Sequence, residues 1–136
     1  MTYRFEKDPE GGIILVTVQL ESKHTFKMVL DTAASRTTID STAFYMAGYT
    51  ISDVLGESAV ETANGIVEVS IFEVDSLTAL GHTVHRMPIQ VYDFLAHGIL
   101  SDYDGLLGLD FFESTVLYID MKNQTISISS PNESEV

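Results

Sequence analysis

The chain has 136 residues, 45% of them hydrophobic, and a formal net charge of −13. That length suffices for one domain with a real core and is too short for two, and the charge argues against nucleic acid and anionic membrane surfaces as partners because nothing could neutralise phosphates. There are no cysteines, which removes disulfide scaffolds, thiolate metal sites and cysteine nucleophiles.

Residues 1–7 are mixed in charge and lack the apolar core of a signal peptide. The apolar run 13–18 is far too short to span a bilayer. A soluble, cytoplasmic protein is the expectation. The β-branched run 13–20 predicts a strand, and Ser22-Lys23-His24 turns it into a second over 26–30. A short strand follows at 36–39. Asp40 and Ser41 are N-cap candidates for a helix over 42–47, stopped by Gly48.

Strand-like segments at 60–62 and 66–69 flank Ala63-Asn64-Gly65, and Asn-Gly is the strongest short-range hairpin signal, since both positions tolerate the positive φ of a type I′ turn. Val67, Val69, Ile71 and Leu77 alternate with polar residues, as a half-exposed sheet does. Gly81-His82 predicts a turn before a strand over 84–92, which Pro88 puts at an edge or bulge. Residues 97–105 read as loop, 106–109 as a short apolar element and 110–114 as one or two helical turns. A last hairpin joins 116–120 to 125–129 about Lys122-Asn123, and the polar residues 130–136 fray. The expected organisation is one mostly-β domain over 1–136, with its core in 12–129.

Chemistry concentrates in Phe26-Lys27-Met28-Val29-Leu30-Asp31-Thr32-Ala33-Ala34-Ser35. A carboxylate at the end of an apolar strand, followed by small and hydroxylated residues, is held in a tight turn where another backbone can approach. Alone, this pattern reads equally as an Asp capping a turn. His82 and His85 are spaced like part of a metal site but lack a third ligand, and read as surface histidines. Asp102-Tyr103-Asp104-Gly105 lacks the spaced oxygen ligands of an EF-hand and reads as a solvated loop.

Asp31-Thr32-Ala33-Ala34-Ser35 resembles the Asp-Thr-Gly-Ala-Ser signature of the aspartic proteases. Asn64-Gly65 lies where retropepsins carry a flap, and Leu106-Leu107-Gly108 matches the second half of the family's ψ-shaped motif. The runs 30–40 and 104–112 also resemble the small bacterial retropepsin-like domains of clan AA. The resemblance extends over residues 12–129. It implies a small closed retropepsin-like β-barrel with one or two short helices, acting as a homodimeric aspartic endopeptidase.

Under that resemblance Asp31 of each subunit is catalytic, Thr32 and Ala33 support it, and Ala63, Asn64 and Gly65 form the substrate-binding flap. No metal or organic cofactor is implied, and the partners are a peptide or protein substrate and a second copy of the chain. Asp104 and Asp110 lack the following Thr or Ser and small residue, so neither is taken as the second carboxylate. Ala33 stands where the family has glycine. That departure keeps a second reading: a catalytically inactive retropepsin-like dimerisation or peptide-binding module.

Overall fold

The computed structural model describes residues 2–7, 12–50, 54–62, 65–97 and 102–129, and of 54–62 and 65–68 the backbone only. Strand β1 (Thr2–Arg4) and β2 (Glu6–Lys7) lead into β3 (Ile14–Leu20), whose Val16, Val18 and Leu20 are buried while Thr17 and Gln19 face water. This is the period of two that a strand with one wet face requires. β4 (His24–Leu30) begins with the same alternation, then buries Met28, Val29 and Leu30 in succession on its way to Asp31.

After β5 (Thr38–Asp40) comes α1 (Ser41–Met46), the single α-helix among the described residues, one residue earlier at each end than its caps predict. Asp40 holds the N-cap position by backbone, but its side chain makes no cap hydrogen bond. Its Oδ1 accepts instead from the Phe94 N–H at 3.0 Å, so tertiary contact overrides local capping. β6 (Val54–Thr62) and β7 (Gly65–Ala79) form a long antiparallel hairpin whose last pair is Thr62 with Gly65. Gly65 therefore belongs to a strand. Positions 63 and 64 lie outside the described residues, as do 130–136.

β8 (His82–Tyr92), β9 (Gly105–Leu107), β10 (Val116–Asp120) and β11 (Thr125–Ser129) complete the sheets, with 3-10 turns at Leu95–His97 and Leu109–Phe112. Strands β3, β4, β9, β5, β8 and β7 are hydrogen-bonded in that order, and pairing of β3 with β7 closes them into a six-stranded barrel. Contacts β4–β9 and β5–β8 are parallel and the others antiparallel. Pro88 lies opposite Glu73 of β7, on a stretch of β8 that β5 does not reach, so its missing N–H breaks no ladder.

Val18, Leu20, Met28, Ile39, Phe72, Leu77, Ile89 and Leu107 fill the barrel. A smaller sheet in the order β1, β11, β10 packs Ile126, Leu117 and Ile128 against the same core. β1 and β2 have no counterpart in the sequence reading. They are three and two residues long, and β1 is set by its partner at the opposite end of the chain, Thr2 facing Ser127. No helix among the described residues is long and apolar enough to cross a membrane.

Candidate functional site

Asp31 leaves β4 at the point where β4 runs parallel to β9, and its N–H donates to the Leu107 carbonyl at 3.0 Å. The chain then turns: the Ala34 N–H donates to the Asp31 carbonyl at 3.1 Å, and the Ala33 N–H donates to Asp31 Oδ1 at 2.9 Å. The carboxylate is thus oriented by the backbone two residues on, the usual behaviour of Asp in a tight turn. It is half-buried, while Thr32 and Ala33 are exposed. Among the described residues no ion pair neutralises it. Ala33 is not among the residues with positive φ, so the turn accepts its methyl without strain.

A second segment crosses beneath this turn. Gly108 donates its N–H to Thr37 Oγ1 at 3.1 Å, and Leu109 donates to the Ala34 carbonyl at 2.8 Å. Thr37 is fully buried and in turn gives its hydroxyl to Asp110 Oδ1 at 2.7 Å and its N–H to the same carboxylate at 2.9 and 3.0 Å. A buried hydroxyl and amide satisfied together make a stiff junction, because leaving either unpaired would be costly. The junction also depends on glycine. A Cβ on Gly108 would lie 2.7 Å from the Arg36 carbonyl carbon, and one on Gly105 would lie 2.2 Å from the Thr38 carbonyl oxygen. Only glycine lets these backbones approach so closely.

Asp104 serves the neighbouring contact. Its Oδ2 accepts from the Lys27 N–H at 2.8 Å, its own N–H donates to the Lys27 carbonyl at 2.7 Å, and its carbonyl accepts from Asp40 N–H at 2.7 Å. Asp104 and Asp110 therefore hold backbone in place, one at each end of β9. Of the predicted site residues, the structure gathers Asp31, Thr32 and Ala33 at this crossing with Leu106-Leu107-Gly108; Gly65 starts β7, and Ala63 and Asn64 lie outside the described residues.

Sequence reasoning missed Thr37, Asp104, Gly105 and Asp110 as positioning groups. The available signal was the pair of acid residues bracketing Gly105-Leu106-Leu107-Gly108, each able to accept from the strand brought beside it. Among the described residues no three His, Asp or Glu side chains cluster so as to hold a metal ion. His82 packs edge-on against Phe111 at 5.1 Å, and His85 lies opposite Ser76.

The chain matches the family model described as aspartyl protease over residues 16–111, a span that contains both the Asp31 turn and the crossing segment. A comparison with curated proteins gives no match. Among solved structures, the chain is similar to a retropepsin-like aspartic protease from Rickettsia conorii, with 15% sequence identity and a TM-score of 0.65. That alignment covers 96% of this chain and 93% of the other. At this identity the likeness is one of fold.

Proposed function

Because the chain belongs to the aspartyl protease family, we propose that it is an aspartic endopeptidase that works as a homodimer, each subunit supplying one Asp31. The observation that carries this reading is the different use of the three carboxylates. Asp31 is half-exposed on a turn whose neighbours are exposed, whereas Asp104 and Asp110 are occupied in holding backbone. A second carboxylate for Asp31 then comes from another copy of the same turn.

Two carboxylates at close range cannot both ionise, so the pair shares one proton. The ionised Asp31 accepts a proton from water as its oxygen attacks the scissile carbonyl carbon. The protonated one donates to the carbonyl oxygen, and proton transfer to the amine nitrogen lets the C–N bond break. The Ala33 N–H fixes Oδ1 of each carboxylate, and the exposed Thr32 hydroxyls brace the two turns across the two-fold axis. An extended peptide binds under the β6–β7 hairpin, with residues 63–65 closing over it and backbone hydrogen bonds supplying much of the affinity.

Exposed apolar groups, one of them tied to the turn, support the dimer. Leu109, tied by its N–H to Ala34, is 47% exposed, and Val116, Tyr118 and Ile119 of β10 are exposed as well. A cytoplasmic, metal-free enzyme acting on protein rather than nucleic acid completes the proposal.

The exposed methyl of Ala33, beside the carboxylate, favours a second reading as a peptide-binding or dimerisation module without hydrolysis. An assay on an unstructured protein from about pH 4 to about pH 7, with Asp31→Asn as control, separates the two. Cleavage by the wild type that disappears in the variant supports the enzyme. Silence from both, with peptide still bound, supports the module.

A further inference from the structure

The turn between β3 and β4 carries unusual residues for its shape. Lys23 donates its N–H to the Leu20 carbonyl at 3.0 Å, and the two residues between, Glu21 and Ser22, have φ of 55° and 56°. Asn and Gly are the ordinary occupants of such a turn, because side chains are disfavoured at positive φ. Strained positions of this kind persist when the side chain has work that the surroundings enforce.

The Glu21 side chain reaches two separate segments. Its Oε1 accepts from the Tyr49 hydroxyl, and its Oε2 accepts from the Asp75 N–H at 3.3 Å; its own N–H donates to the Ser76 carbonyl at 2.9 Å. Tyr49 is itself fixed, stacked on Phe44 with ring centroids 4.3 Å apart and edge-on to His24 at 5.3 Å. It lies after α1, on the way into β6. Asp75 lies on β7 just past the stretch paired with β6. There the β7–β8 ladder passes from Val74–Met87 to Ser76–His85, and Arg86, facing Asp75, has φ of 54°. The strand pair is distorted where the Asp75 amide turns to Glu21.

We propose that Glu21 is a positioning residue that latches both roots of the β6–β7 hairpin and so sets how tightly the Asp31 site holds an extended peptide. The latch uses one side chain to tie the segment entering the hairpin to the strand leaving it. Its release leaves the Asp31 turn untouched, since that turn is held by the separate crossing at Gly108 and Thr37. The consequence for catalysis rests on the endopeptidase reading, whereas the latch itself does not.

The test uses the full chain and two readouts. In Glu21→Ala, amide exchange at Asp75 and along residues 65–72 accelerates by about tenfold, the effect of one lost hydrogen bond, while amides of β9 keep their wild-type protection. Tyr49→Phe does the same to a smaller degree. Glu21→Gln restores protection, because its carbonyl oxygen still accepts from Asp75 and its NH2 can donate to the Tyr49 oxygen. In the cleavage assay KM rises about fivefold in Glu21→Ala with kcat nearly unchanged. Unchanged exchange in the hairpin of both Glu21→Ala and Tyr49→Phe overturns the latch, as does acceleration shared equally by β9. Accelerated exchange confined to the hairpin, with kcat falling and KM constant, overturns its role in affinity. If neither wild type nor variant cleaves, the endopeptidase reading fails, and exchange still decides the latch.

Discussion

The crossing under Asp31 and the root of the β6–β7 hairpin are both places where distant segments are tied together, yet they are tied by different means. At the crossing, backbone meets backbone, and glycines 105 and 108 sit where any Cβ would strike a carbonyl. At the hairpin root, one titratable side chain reaches out from a strained turn to a hydroxyl and an amide. The first junction is fixed by shape. The second can be released by one substitution. Under the proposed mechanism, a carboxylate that must meet its copy within hydrogen-bond range belongs on the first kind, and a segment that admits substrate belongs on the second.

The largest effect that would break this contrast is at glycine. Gly105→Ala and Gly108→Ala each lose about 3–5 kcal/mol or fail to fold, since the clash is with main chain that cannot rotate away. Chemical denaturation measures it, and a near-neutral result would show that the crossing yields. Next comes Asp31→Asn, expected to reduce cleavage at least about 100-fold with little change in melting temperature, because the turn keeps its backbone bonds. A folded variant with wild-type turnover would remove Asp31 from the chemistry. Asp110→Ala strands the buried Thr37 amide and hydroxyl and is expected to lose about 1–3 kcal/mol.

Acid should separate the two regions. The Tyr49 hydrogen bond, foremost, holds the Glu21 carboxyl below its ordinary value; burial opposes it as the next largest effect, and the Asp75 N–H and nearby Lys23 add smaller lowering contributions. A carboxyl lowered on folding contributes stability above its unfolded pKa, and that contribution is lost as pH falls through the folded value. Wild-type stability therefore declines on acidification through the carboxylate range, and Glu21→Gln shows a shallower decline. Equal slopes in urea denaturation across that range would contradict the charged latch. The smallest effect concerns association: two chains of net charge −13 repel, so self-association tightens with added salt. Weakening by salt in sedimentation would count against this.

What the sequence made legible was local. The Asp31 turn, the glycine at 108 and the hairpin over 116–120 and 125–129 are written in neighbouring residues, and each sits where the pattern puts it. What it hid depends on partners brought together by topology. Asp110 looks like the start of a helical turn until Thr37 is packed against it, and Gly105 looks like loop until Thr38 lies 2.2 Å from its missing Cβ. Glu21 carries no turn signature, and Asp40 carries a capping signature that the Phe94 amide diverts. β1 has too few residues for any periodicity and is set by β11 alone.

The proposed homodimer makes Asp31 half of a site. Cleavage rate per chain against protein concentration, read beside sedimentation mass in the same buffer, tests it most directly. If Asp31 needs its copy, specific activity collapses as the dimer dissociates and returns when the chain is concentrated. Constant specific activity in a species of monomer mass would contradict it.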